Sequence, residues 1–279
     1  MGLVAQVALV AVTPSLTASE VTRIAAALQR QIARDLIRYW ELEATISAFV
    51  QLNEVPPGYW PIIVRDDIDN EAAGVHCDNS GQPMALVTFD NDWSITASHE
   101  MLEMLVDPFG NRMVAGQSVK PDQGRVEYLV EVADPVGDSW YWIDDVKVCD
   151  FITPRFFDPI GSAGVQYCST GALKNPRELL ANGYLTWQDP VGGEWWQQSR
   201  FTEGEAVIVN LGPLIKNACG MRSAVDPLAA RRRRNAGGRK LPSADAIEYE
   251  ARRKNGLAAS KRAKADAWRK VIAQIRSRP

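Results

Sequence analysis

Residues 4–12 are apolar at every position but Gln6, a run that predicts a strand. From 17 to 40 the apolar positions Val21, Ile24, Leu28, Ile32 and Leu36 recur at three- and four-residue steps, the period of a helix with one buried stripe. Thr17, followed three residues later by Glu20, supplies a capping box for its start. Strand-like runs return at 44–51 and 60–65. Two shorter ones, 73–76 and 84–89, flank the turn-forming Asp-Asn-Ser-Gly-Gln-Pro at 78–83, so a hairpin is predicted there. Helical spacing reappears over 94–108, with Met101, Leu102 and Leu105 on one side. Beyond it, 126–134, 139–144 and 146–151 read as strands broken by Pro-Val-Gly-Asp and Asp-Asp turns, and the remainder looks mostly β and irregular.

The 279 residues are 46% hydrophobic, enough for a sizeable core in one large domain or two lobes. We divide the chain into a main unit, 1–225, with an N-terminal lobe to about 110 and a lower lobe after it, and a tail, 226–279. The charge separates these parts sharply. Residues 231–279 carry 16 Lys and Arg against 4 Asp and Glu, net +12, whereas the rest carries 15 against 30, net −15. The tail opens with Arg231 to Arg234 and a Gly-rich junction. Trp268, Val271, Ile272 and Ile275 then mark a basic amphipathic helix. Such a tail either folds back on the acidic body or contacts a polyanion, whether nucleic acid, an anionic membrane surface or an acidic partner.

Several of the nine tryptophans gather at Trp140, Trp142, Trp187, Trp195 and Trp196, where core and cross-strand pairing is favoured over an aromatic cleft for peptide or sugar. Cys77, Cys149, Cys168 and Cys219 are scattered, with no short Cys-x-x-Cys spacing. The apolar N-terminus lacks a basic leader and is shorter than a membrane span, so it reads as a first strand. Gln6 argues against myristoylation. No transmembrane segment or export signal is visible, which leaves the compartment open and leans toward the cytoplasm.

The chemistry concentrates in Ser-Ile-Thr-Ala-Ser-His-Glu-Met-Leu-Glu-Met-Leu-Val-Asp-Pro at 94–108, which holds one of only two histidines. At about 100° per residue, His99, Glu103 and Asp107 fall within roughly 80° of one another, opposite the apolar side. A His followed at once by Glu, with a second ligand-type side chain four positions on, offers two metal ligands and a general base from one helix. The familiar version has His at the last of these positions, where this chain has Glu103.

The order strand, helix, strands, edge hairpin, His-Glu helix resembles the N-terminal subdomain of a zincin metallopeptidase. More narrowly, the chain is similar to a set of bacterial and plant exordium-type proteins. In that set His-Glu-x-x-Glu is followed by x-x-x-Asp-Pro and then, some 25 to 35 residues on, by Glu-(Ile/Val)-(Gly/Ala)-Asp. Here these are His99 to Glu103, Asp107-Pro108, and Glu131-Val132-Ala133-Asp134. The likeness extends over about residues 1–220. It implies an α+β fold: a zincin-like subdomain with a mixed sheet and an active-site helix, then a β-rich lobe and the basic helical tail.

The same resemblance makes His99 and Glu103 metal ligands and Glu100 the base that deprotonates a metal-held water and protonates the leaving amine. Asp107 lies about 12 Å along the axis from His99, so Glu131 is favoured as third ligand. Asp107 is then a ligand or a group that fixes the site, and Asp134 is an alternative. One imidazole with two or three carboxylates is a hard donor set. Zinc is the first choice for the single divalent ion, with manganese, calcium or iron as competitors. Extra carboxylate charge also weakens the ion's Lewis acidity and points to a slow hydrolase.

His76, on the expected edge strand, is read as structural in preference to a substrate or oxyanion contact. Tyr128 and Tyr141 are candidate oxyanion donors. The expected activity is hydrolysis of a peptide or protein substrate. The rival is a non-catalytic metal-containing protein that engages a partner through its aromatic lobe and tail.

Overall fold

A computed structural model describes residues 4–68, 73–78, 81–201 and 204–213. The expected tail, 226–279, and Cys219 lie outside the described residues. The chain is mixed α/β. A first sheet is assembled from β1 (Ala5–Ala11), β2 (Ala44–Phe49), β3 (Trp60–Arg65), β4 (Gly74–Asp78) and β5 (Pro83–Thr88), in the order β2-β1-β3-β5-β4. The pairs β1–β2, β1–β3 and β3–β5 are parallel, and only β4, at the end of the sheet, runs antiparallel to its neighbour. Strands flanked on both edges and covered by packing must be apolar throughout. Accordingly Val7, Ala8, Leu9 and Val10 of β1 are all fully buried.

The helix expected at 17–40 is present but not uniform. It runs as α1 (Ala18–Arg30), a π-helical segment (Gln31–Leu36) and α2 (Ile37–Trp40). The Thr17–Glu20 capping box is formed in both directions. The predicted stripe is buried from Val21 to Leu36, and because Ile32 and Leu36 stay buried through the π turn, hydrophobic periodicity conceals it. Gln31 is the polar residue that turn carries inward. Its amide donates to the Tyr141 hydroxyl and the Cys149 carbonyl, and its carbonyl accepts from Ser98.

The second sheet is antiparallel, built from β6 (Met113–Gln117), β7 (Arg125–Leu129), β10 (Tyr184–Gln188), β11 (Glu194–Ser199) and β12 (Val207–Pro213), in the order β12-β11-β10-β7-β6. A separate hairpin joins β8 (Trp140–Ile143) to β9 (Val146–Cys149). The strand expected over 126–134 stops at Leu129. Residues 130–133 continue as buried chain into a 3₁₀ turn, Asp134–Val136.

One hydrophobic cluster runs through both sheets, uniting Val7, Leu28, Met101, Tyr128, Phe151 and Trp187, so the two expected lobes share a core. Trp187 and Trp195 are fully buried. The edge-to-face pair Trp140 and Trp142 is exposed. Cys149 and Cys168 are free thiols. Among the described residues no helix is long and apolar enough to cross a membrane.

Candidate metal centre

Helix α3 (Trp93–Val106) packs against β4 and β5 on one side and β9 on the other. Its apolar side, Met101, Leu102 and Leu105, is buried as expected, but its polar side is buried too: Ser98, Glu100 and Glu103 are almost inaccessible. Ser98 donates to Gln31 and accepts from the Cys149 N–H, fixing the helix between the π-helical segment and β9. Carboxylates in such a place are costly unless charge or donors compensate them.

Compensation comes from two histidines arranged around Glu103. On one side His99 Nε2 lies 3.4 Å from Glu103 Oε1 and 3.2 Å from Asp134 Oδ1. On the other, His76 Nδ1 lies 3.4 Å from Glu103 Oε2 and 3.5 Å from Glu100 Oε2. His99, Glu103 and Asp134 thus form one group of ligand-type atoms within 4.8 Å of one another, and His76, Glu100 and Glu103 form a second.

The separations are informative. Charge-assisted N–H to carboxylate hydrogen bonds close to about 2.7–2.9 Å. Two donors at 2.0–2.2 Å from a tetrahedral zinc stand roughly 3.3–3.6 Å apart, by the geometry of a tetrahedron's edge. All four distances sit at or near the second value. Two buried oxygens, Glu100 Oε2 and Asp134 Oδ2, also accept no hydrogen bond. Donor chemistry, spacing and unsatisfied oxygens all fit a divalent cation.

Three backbone features hold the group. The Ala133 N–H donates to Glu103 Oε1 at 3.3 Å, which joins the helix to the segment that delivers Asp134. Behind Asp134 the 3₁₀ turn is clamped against the loop before β10. Leu180 N–H donates to the Pro135 carbonyl, and Gly137, at φ +53°, packs where a Cβ would overlap the Ala181 carbonyl oxygen. On β4, Gly74 faces Glu100 so closely that a Cβ there would stand 2.6 Å from Glu100 Oε1 and from Thr96 Cγ2. Gly74 and His76, two residues apart, share one strand face. The first leaves room for Glu100 and the second reaches between Glu100 and Glu103.

Of the residues singled out in sequence, His99, Glu100 and Glu103 come together. Asp107 does not join them. Its carboxylate accepts the N–H groups of Asn111 (3.0 Å) and Arg112 (2.8 Å), so it caps the chain leaving the helix, the alternative to bending inward as a ligand. Glu131, the favoured third ligand, is buried but belongs to neither group. Asp134 stands with His99 and Glu103 instead, because the chain leaves the strand after Leu129 and turns at Asp134.

Tyr128 donates to the Gln117 carbonyl and accepts from Val119 N–H. Tyr141 donates to Asp35 and accepts from Gln31. Both hydroxyls are committed to structure, so neither serves as an oxyanion donor. Burial pushes the Tyr128 hydroxyl up to about 12 and that of Tyr141 higher still. His76, expected to be structural, stands inside the cluster. The signal that could have found it is the Gly-x-His spacing on an edge strand facing the helix.

Burial opposes charge on the His99 ring, but the Glu103 charge, the Asp134 contact and the Cys149 thiol outweigh it, and the ring is held well above the ordinary imidazole range. The Cys149 Sγ lies 3.9 Å from His99 Nδ1, and burial pushes that thiol up, so it stays protonated at neutral pH. Among known proteins, no family model, no curated protein and no solved structure matches the chain.

Proposed function

We propose that the protein is a metal-dependent hydrolase of the zincin type that cleaves peptide bonds, with one divalent cation, zinc first, held by His99, Glu103 and Asp134. The observation that carries this reading is the spacing of those donors, 3.2 and 3.4 Å from the shared ring nitrogen, which suits a tetrahedral ion better than a hydrogen-bonded cluster. The sheet order supports a zincin-type lobe, since antiparallel β4 lies at the end of the parallel strands and beside α3.

A bound ion would supply Lewis acidity toward a carbonyl oxygen and a water. The chain's own residues do the rest. Glu100, next to His99, has a buried oxygen that accepts no hydrogen bond, so it takes a proton from the attacking water and delivers it to the leaving amine as the C–N bond breaks. β4, the end strand of the first sheet among the described residues, pairs with an extended peptide backbone. His99 is 22% exposed while Glu103 and Asp134 are almost fully buried, so substrate approaches from the His99 side. The basic tail, 231–279, is assigned to association with polyanions through displaced counterions.

Zinc-loaded protein assayed on a peptide library tests the reading. Glu100→Gln should keep the ion at His99 and lower the rate at least about a hundredfold, the usual scale of general-base loss. Wild-type protein that binds no zinc, or a Glu100→Gln protein with full activity, overturns it.

A further inference from the structure

His76 and Glu100 are not needed to hold an ion at His99, yet with the shared Glu103 they form a second group of donors of the same construction. His76 Nδ1 stands 3.5 Å from Glu100 Oε2 and 3.4 Å from Glu103 Oε2, again at the edge of a zinc tetrahedron and longer than a charge-assisted hydrogen bond. His76 and Glu100 are each no more than 4% exposed, and Glu103 is completely buried. Glu100 Oε2, aimed into the group, accepts no hydrogen bond. Glu103 presents Oε1 to His99 and Oε2 to His76, so its two oxygens face the two groups separately.

We infer that the protein binds a second divalent cation through His76, Glu100 and Glu103, with Glu103 as a carboxylate bridge to the ion at His99 and Asp134. This rests on the proposed function for its first ion. A carboxylate can span two ions through its separate oxygens, as in two-metal hydrolytic centres, whose ions lie about 3.5–4 Å apart.

Charge permits it. With both rings neutral, Glu100, Glu103 and Asp134 contribute −3, and one dication leaves the group at −1, so a second enters a site that is still anionic. Binding is weaker for the second ion, because it meets the first one's positive charge across the bridge. The second ion also changes what Glu100 does. With one ion bound Glu100 is free to move a proton, and with two it is a ligand.

The test uses the full chain and reads metal, not turnover. Protein dialysed against zinc and measured by elemental analysis should hold two ions, the second at least tenfold weaker. The same protein loaded with manganese should give a spin-coupled pair in its paramagnetic resonance spectrum. His76→Ala should lower the stoichiometry from two to one and abolish the coupling. His99→Ala should also remove one ion, and both variants are checked for folding by circular dichroism. Two ions without spin coupling would place the second elsewhere and overturn the inference. A single ion, lost in His99→Ala and kept in His76→Ala, overturns it while leaving the proposed function standing. A single ion lost only in His76→Ala, or none at all, overturns both. The manganese spectrum of wild-type protein decides the matter even where a variant does not fold.

Discussion

Replacing Asp134 by Asn separates the two carboxylates that compete for the third ligand position. The amide keeps the size of the side chain and an oxygen 3.2 Å from His99 Nε2, so the turn and the packing behind it stay intact while the anionic donor is lost. Losing an outer partner of a metal ligand already weakens binding 10- to 100-fold. Losing a direct anionic ligand should cost more, so about a hundredfold is a floor. At a zinc concentration of about 100 times the wild-type Kd, the wild-type protein gains about 2.7 kcal/mol, or roughly 5–11 °C in Tm for a unit of this size. A hundredfold weaker site at the same zinc concentration gains only about 0.4 kcal/mol, roughly 1–2 °C. Glu131→Gln, which alters a buried residue outside both donor groups, should keep most of the wild-type shift. Thermal melts of the three proteins, with and without zinc, make the comparison. If Asp134→Asn keeps its zinc shift and Glu131→Gln loses it, the assignment is reversed and Glu131 is the ligand.

Asp107→Ala should destabilise the protein by about 2–4 kcal/mol, because two backbone N–H groups lose a charged acceptor, while zinc stoichiometry is unchanged; loss of zinc in denaturant-checked folded protein would restore Asp107 as a ligand. Since His99 is raised well above its ordinary range, zinc must displace its proton, so apparent affinity should rise up to tenfold per pH unit below the raised value and level off above it, as competition against a chelator can measure; a pH-independent affinity would refute this. In the metal-free protein the sign is opposite: stability from the charged ring is full below the unfolded value of about 6.5 and is lost as pH rises through the raised folded value. Gly74→Ala forces a Cβ to within 2.6 Å of Glu100 Oε1 and Thr96 Cγ2, and should cost about 1–3 kcal/mol by overpacking and lower kcat/KM at least tenfold; unchanged kinetics would mean that Glu100 does not need its place against β4.

Local pattern carried the first sheet, the capped helix and the His-Glu helix, because each announces itself through a period: continuous apolar residues in β1, a 3.6-residue stripe through Leu28 and Ile32, and a polar face at His99 and Glu103. Two ligand-type side chains one turn apart must share a helix face, so their proximity is a property of the sequence itself. The π turn at Gln31–Leu36 was hidden because it leaves the apolar stripe buried and shows only in where Gln31 finds its partners. Helix rise sets Asp107 apart from His99, and its carboxylate turns to backbone donors because the helix ends there. Spacing cannot choose between Glu131 and Asp134, and Asp134 arrives because the chain leaves the second sheet after Leu129 and turns against the loop before β10. His76 depended on more still. Only the packing of an edge strand on α3, with Gly74 clearing the space, puts a lone strand histidine between two carboxylates that the helix had brought together. Which side chains a single helix or strand presents together is legible along the chain, because those relations follow from backbone period. Which distant segment joins His99 and Glu103 is not, since that depends on where strands end and what packs behind them.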